Sequence, residues 1–116
     1  MRNFLLLLLL ASLVQTSFAA ESVCTKLSKQ VDGVDDNYRP PLYGKVIGHK
    51  KLNFYTAPDA QCKMKGVFVI KGDSLTVYKP YKDWLNVMYI AKDGEDYMGW
   101  VPAKQVKING QYGKNL

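Results

Sequence analysis

Two cysteines and one histidine are the side chains of this sequence best suited to covalent or metal chemistry. Cys24 and Cys62 lie on either side of His49. A structural zinc ion takes four ligands, so these three residues are too few for a zinc site. His49 stands among lysines and no recognisable nucleophile motif accompanies it, which favours an exposed turn residue over a general base. We expect no metal and no cofactor.

Three acidic residues close together, Asp93, Glu95 and Asp96, are the other group that invites a catalytic or metal-binding interpretation. They flank Gly94 at an expected hairpin tip, where solvated carboxylates are ordinary. A calcium loop would need more oxygen ligands at set spacings. The sequence also lacks a phosphate-binding loop. We therefore expect a protein that is not an enzyme.

The first residues have the layout of a cleaved signal peptide. A basic start, a leucine-rich stretch and small residues at the cleavage site place the leader at residues 1–19. The apolar stretch is shorter than the roughly 20 residues of a spanning helix, so no stable membrane anchor is expected after cleavage. The residues before Cys24 do not fit lipid attachment. The chain is predicted to be exported, and to be periplasmic or secreted.

Export makes a disulfide the expected state of Cys24 and Cys62, since exported chains meet oxidising conditions. The bond would close a loop of about 39 residues. By the chain-entropy argument, such a loop contributes roughly 4 kcal/mol to stability. That is a large share of the free energy of unfolding of a small domain, which is about 5–15 kcal/mol.

The charge of the mature chain is moderately positive. Losing Arg2 with the leader leaves 15 basic side chains against 10 acidic ones, about +5, on about 97 of the 116 residues. Arg39 is the one arginine left, whereas nucleic-acid recognition relies on arginine, so no nucleic acid is expected as a partner. The lysine excess suits an acidic partner or an anionic envelope, and simple solubility explains it equally well.

Short alternating strands dominate the sequence after an N-terminal extension. The extension covers residues 20–41, with a short helix predicted over residues 23–31 and stopped by Asp32-Gly33. Residues 42–108 are divided by frequent turns into strands, and residues 109–116 are expected to form a loose tail. The predicted fold is all-β, a small barrel or sandwich of about five to seven strands, with the extension tethered by the disulfide.

Five local predictions can be compared directly with a structure. Pro80 is expected to close a strand over residues 74–78. Residues 84–90 should alternate between two faces, with Leu85 and Val87 on one and Trp84 on the other. Asp93-Gly94 predicts a tight hairpin in which both central residues have positive φ. A single helical turn is expected at residues 102–105, and a last strand at residues 106–108.

Four ordered blocks between residues 52 and 101 resemble the bacterial SH3-like domain. They read LNFYTAP at residues 52–58, KGDSLTV at 71–77, a tryptophan strand at 84–87 and GWV at 99–101. Tyr55 stands where the family usually has arginine, and Ala57 where it has glycine. The resemblance implies a small SH3-like barrel that binds cell-wall peptide or a protein and does not catalyse.

Aromatic residues and neighbouring lysines are the candidate contact surface. Aromatic side chains are the commonest anchors of protein interfaces. Trp100 is expected to pack inside, while for Tyr81 and Trp84 packing and contact remain equally open. The predicted binding face comprises Tyr55, Tyr78, Tyr81, Trp84, Lys79 and Lys82.

The leading hypothesis is an exported binding protein with a protein partner, for example an inhibitor or immunity protein. The alternative is a module that binds peptidoglycan or the cell envelope.

Overall fold

The structure is a computed structural model that describes residues 19–113, with side chains described from residue 23. The predicted signal peptide lies outside these residues except at residue 19, as do the last three residues of the predicted tail. The elements are one helix, seven strands and two 3-10 helices. They are α1 Ala19–Asp32, β1 Leu42–Val46, β2 Leu52–Tyr55, 3-10 helix Ala60–Cys62, β3 Lys63–Val69, β4 Ser74–Tyr81, β5 Trp84–Ile90, β6 Asp96–Pro102, 3-10 helix Ala103–Gln105 and β7 Val106–Gln111.

All seven strands belong to one antiparallel sheet in the order β3-β2-β6-β5-β4-β1-β7. Within the described residues no ladder joins the edge strands β3 and β7, so hydrogen bonding does not close the barrel. Val69 from one edge and Val106 from the other nevertheless lie in the same buried core. The sheet therefore curls around its own apolar face. The all-β fold class, the strand number and the tethered extension are confirmed.

The core lies on the inner face of the curled sheet and receives side chains from every strand. Along β5, Leu85 and Val87 are buried, whereas Trp84, Asn86 and Met88 alternate with them and are partly exposed on the outer face. The predicted two-faced pattern of this strand is thus confirmed. Period-2 burial is the expected result of side chains that point to opposite faces of a pleated strand. The outer face is the one that presents the predicted binding residues.

Helix α1 carries the predicted apolar stripe and ends at Asp32, as expected. Burial increases along the stripe: Val23 is 44% exposed, Leu27 is partly buried and Val31 is fully buried. The C-terminal end of the helix is therefore the part packed most deeply. The predicted disulfide joins Cys24 to Cys62 with an S–S distance of 2.09 Å, which tethers the helix to the 3-10 helix Ala60–Cys62. No helix among residues 19–113 is long and apolar enough to cross a membrane.

Pro80 does not end its strand, contrary to the prediction. Strand β4 continues through Pro80, which lies opposite Leu85 of β5. Pairing with β1 on the other side of β4 extends only as far as Val77. Beyond that point β4 has a free side, so the missing N–H of proline removes no ladder hydrogen bond. A register shift between Val77 and Lys79 marks the bulge where the pairing changes.

The predicted loose tail is instead ordered for its first residues. Strand β7 runs to Gln111, which pairs with Leu42 of β1, and the backbone N–H of Tyr112 donates to the carbonyl of Pro41. The ring of Tyr112 also packs against that of Tyr43, with centroids 3.7 Å apart. The sheet therefore extends beyond the predicted end at residue 108.

The hairpin between β5 and β6 is longer than predicted. Its loop runs from Ala91 to Glu95, and the Gly94 N–H donates to the Ala91 carbonyl at 2.9 Å. Gly94 has φ of 87°, but Asp93 is not among the residues with positive φ. The prediction of two consecutive positive φ values is therefore wrong. The Asp93 carboxylate accepts the Glu95 N–H, which closes a larger turn.

Candidate functional site

Strand register gathers four aromatic residues on one end of the outer face. Tyr55 lies opposite Trp100, and Trp84 lies opposite both Pro102 and Tyr81. These positions come from strands β2, β6, β5 and β4, which are neighbours in the sheet in that order. We call Tyr55, Tyr81, Trp84 and Trp100 the aromatic cluster.

Edge-to-face packing orders the aromatic cluster. The rings of Tyr55 and Trp84 have centroids 4.9 Å apart and an interplanar angle of 74°. Tyr81 and Trp100 meet at 6.3 Å with the same angle. Such pairs contribute about 0.5–1.5 kcal/mol beyond the area they bury. Trp100 is only 4% exposed, as the sequence predicted, whereas the other three rings stay partly accessible.

Tyr55 and Trp84 line a groove of about 440 Å³, which we call the apolar groove. Pro102 and Ala103 line it too, together with Ala60. Two charged residues of opposite sign complete its lining, Asp83 and Lys104. The volume lies within the usual range for ligand pockets, about 300–1,000 Å³.

A second groove of about 420 Å³ adjoins the first, and we call it the basic groove. Tyr55 and Pro102 line both grooves, so the two are neighbours that share part of their walls. Its remaining lining residues are His49, Lys50, Lys51, Leu52, Asn53 and Gln105. No carboxylate lines the basic groove.

Gly99 allows β2 and β6 to approach closely beneath the groove. A Cβ added there would lie 3.1 Å from the Tyr55 carbonyl oxygen and 3.2 Å from the Phe54 ring. Both distances are shorter than ordinary van der Waals contact. The glycine of the Gly-Trp-Val block therefore helps to position Tyr55, and Phe54 is fully buried behind it.

The disulfide supports the wall that contains Ala60. Cys62 ends the 3-10 helix Ala60–Cys62 and is 3% exposed. The Asp59 carboxylate accepts the Gln61 N–H at 2.9 Å and caps this short helix. The Thr56 N–H in turn donates to the Cys62 carbonyl. These contacts fix the groove wall to the end of strand β2.

Lys82 lies at a two-residue turn beside the aromatic cluster. Its φ is 51°, the one positive value at a non-glycine residue in the described part of the chain. The turn joins Tyr81 to Trp84, and the Asp83 carbonyl accepts the Ala103 N–H at 2.8 Å. The Lys82 ammonium lies 5.5 Å from the centre of the Tyr81 ring.

Two residues predicted for the binding face lie away from the aromatic cluster. Lys79 is 6% exposed, and its ammonium donates to the carbonyls of Val31 and Val34 at the end of α1. It is therefore a structural contact of the helix and is not accessible to a partner. The Tyr78 hydroxyl donates to the Met88 sulfur at 3.5 Å, outside both grooves.

The basic groove is the part of the site that sequence reasoning misses. The sequence pattern predicts an exposed turn for His49 and its neighbouring lysines, without a role in the binding face. Because this turn leads directly into β2, its side chains line the same groove as Tyr55. Pro102, which follows the Gly-Trp-Val block, is missed as well. A lysine pair immediately before the strand that carries Tyr55 is the available signal.

In the part of the chain that the structure describes, two titratable groups have clearly shifted pKa values, and neither lines the apolar or the basic groove. Hydrogen bonds from Arg39 first and Asn37 second lower the pKa of Asp35. The Glu95 carboxylate, which accepts the Tyr97 hydroxyl at 3.2 Å, raises the pKa of Tyr97. Among residues whose side chains are described, no group of three or more histidine, cysteine or acidic residues could hold a metal ion.

Comparisons of the chain with protein-family models, with curated proteins and with solved structures give no significant match. The resemblance to the bacterial SH3-like family therefore rests on the four sequence blocks and stays a prediction.

Proposed function

We propose that this chain is an exported, non-catalytic binding protein that holds a segment of a protein partner in the apolar groove. The observation that carries the proposal is the pairing of Tyr55 with Trp84. Both rings are partly exposed, are held by strand register and edge-to-face packing, and line the same groove. Rigid aromatic side chains lose little conformational entropy on binding and anchor many interfaces.

The disulfide supports the exported part of this proposal. A Cys24–Cys62 bond persists in oxidising compartments, and the leader-like residues 1–19 supply a route to one. Together they support a periplasmic or secreted location as part of the proposal. The specific role of inhibitor or immunity protein is one form of the proposal, in which the partner is a wall-active enzyme or a toxin.

Capture with matched variants tests the proposal. The tagged mature chain, Trp84→Ala and Ile90→Ala would each be used to capture proteins from an envelope extract, followed by mass spectrometry. Ile90 is 61% exposed and lines neither groove, so it controls for loss of an exposed apolar side chain. We expect a partner that the wild type and Ile90→Ala retain and Trp84→Ala loses. The purified partner should then reproduce this difference in solution.

A parallel experiment tests the alternative, in which the ligand is peptidoglycan. The same three proteins would be sedimented with purified cell wall. Wall binding that Trp84→Ala loses, without any captured protein that depends on Trp84, would replace the protein partner by a wall ligand. Equal behaviour of all three proteins in both experiments would rule out the groove as a binding site. Circular dichroism of each variant would establish that it is folded.

A further inference from the structure

We propose that the partner segment is extended and acidic, with an apolar side chain in the apolar groove and carboxylates in the basic groove. This inference rests on the proposed function and names the chemistry of the ligand. The two grooves share Tyr55 and Pro102 in their linings, so an extended chain that passes these two residues would reach both.

The charges of the two grooves differ, which gives the segment a direction. Lys50 and Lys51 line the basic groove and are both exposed, and no carboxylate lines it with them. In the apolar groove, Asp83 offsets Lys104. A carboxylate on the ligand is therefore attracted to the basic groove, whereas the apolar groove offers it no net electrostatic attraction. Complementary charge of this kind steers association and sets orientation.

No carboxylate whose side chain the structure describes pairs with the lysines of the basic groove. Among residues with described side chains, the ion pair within 4.0 Å is Arg39–Asp35, which lines neither groove. The Lys51 ammonium lies 4.5 Å from the centre of the Phe68 ring, a contact that leaves its charge uncompensated by a carboxylate. A ligand carboxylate would thus meet a cation without breaking an existing ion pair.

The apolar groove selects for a flat or compact apolar side chain. Its lining presents the ring of Trp84 beside Tyr55, with Pro102 and Ala103 close by. Proline and aromatic side chains stack well on such surfaces and remain compatible with an extended backbone. A polyanion without apolar groups would fill only the basic half of the site.

Selection from a random peptide library tests the inference while the partner is still unidentified. Displayed peptides of about nine residues, roughly 30 Å when extended, would be selected on the immobilised mature protein. We expect enriched sequences with two or more Asp or Glu residues on one side of a proline, aromatic or aliphatic residue. Selected sequences without an acidic excess would overturn the inference.

A double charge reversal identifies the groove responsible. Synthetic selected peptides would be titrated by fluorescence anisotropy against wild type, Lys50→Glu/Lys51→Glu and Lys92→Glu/Lys107→Glu. The last pair is exposed, lines neither groove and changes the net charge equally. We expect the groove pair to weaken binding about tenfold or more and to remove most of its salt dependence. Equal effects of the two pairs, or competition by polyphosphate as strong as by the peptide, would refute a specific acidic segment.

Trp84→Ala separates this inference from the proposed function. Selected peptides that need Trp84 but carry no acidic excess would leave the binding groove in place and overturn only its acidic preference. Peptides that bind equally well to Trp84→Ala would contradict both.

Discussion

The Lys79 ammonium donates a 2.5 Å hydrogen bond to the carbonyl oxygen of Val31, although 48 residues separate the two in the sequence. A second hydrogen bond of 3.0 Å reaches the carbonyl of Val34. The last carbonyls of a helix have no intrahelical partner and form the negative end of its dipole. Lys79 therefore caps α1 from a strand and joins the helix to the outer face of the sheet.

Replacing Lys79 by methionine should destabilise the fold by about 1–3 kcal/mol, because charge-assisted hydrogen bonds to one buried and one partly buried carbonyl are lost. Urea unfolding followed by tryptophan fluorescence would measure the change. Lys92→Met, at an exposed hairpin position, is the matched control and should stay within about 0.5 kcal/mol of wild type. Similar effects at the two positions would show that Lys79 does not hold the helix.

Removing the disulfide should release the N-terminal half of α1 first. Cys24→Ser/Cys62→Ser loses a cross-link worth up to about 4 kcal/mol, while the sheet keeps its core. We expect a lower midpoint of urea unfolding and faster amide hydrogen exchange in the helix than in strand β5. Adding a reductant should change the unfolding of wild type but not that of the double variant. Unaltered exchange in the helix would contradict the tethering role.

Local patterns in the sequence account for most elements but not for the assembled site. Alternation predicts the inner face of β5, and Asp32-Gly33 predicts the end of α1, because both signals are contained in neighbouring residues. The meeting of Tyr55 with Trp84 depends instead on β6 lying between β2 and β5. That strand order is a non-local property which no short stretch of sequence encodes.

Lys79 and the end of β7 are two further features that local sequence patterns do not predict. Alternation alone would place Lys79 on the inner face with Leu75 and Val77. The bulge after Val77 instead brings it opposite Asn86 on the outer face, where the end of the helix covers it. Gly110 weakens the strand signal after residue 108, yet pairing with Tyr43 of β1 extends the strand through it. Tertiary partners that are distant in sequence decide both cases.

Gly44 should not tolerate a methyl group. A Cβ there would lie 2.7 Å from Val106 Cγ1 and 3.0 Å from Val77 Cγ2, and both valines belong to the core. Gly44→Ala is expected to lower the free energy of unfolding by about 1–3 kcal/mol through overpacking. Gly33→Ala is the matched control, because its nearest atom would be at an ordinary 3.5 Å. Thermal unfolding of the two variants would compare them, and equal midpoints would contradict close packing at Gly44.

Tyr97 should titrate above its ordinary range because the Glu95 carboxylate accepts its hydroxyl hydrogen and repels the phenolate. A raised folded pKa means that the hydrogen bond stabilises the fold below the ordinary tyrosine pKa. This contribution is lost as pH rises through the folded pKa. Glu95→Gln should lower the pKa of Tyr97, and Asp93→Asn should lower it less. Ultraviolet titration of tyrosine absorbance would follow these shifts, and a larger effect of Asp93→Asn would reverse the assignment.

The strained turn at Lys82 is expected to lower the stability of the fold while it places a positive charge beside the aromatic cluster. A non-glycine residue at φ of 51° lowers the free energy of unfolding by about 1–2 kcal/mol. Glycine avoids this strain, but its larger conformational entropy in the unfolded state offsets part of the gain. Lys82→Gly should therefore raise the free energy of unfolding by about 0.5–1 kcal/mol. Lys82→Ala removes the same ammonium but keeps the strained backbone, so its stability should remain near that of wild type.

Both Lys82 variants should bind the selected acidic peptides slightly less tightly than wild type, because each loses a positive charge next to Asp83 of the apolar groove. Lys82 itself lines neither groove, so its effect should stay well below that of Lys50 and Lys51. Urea unfolding and anisotropy titration of the same preparations would separate the two effects. Equal stability of the glycine and alanine variants would show that the turn is unstrained. Unchanged affinity in both variants would show that Lys82 takes no part in binding, because both variants lack its charge.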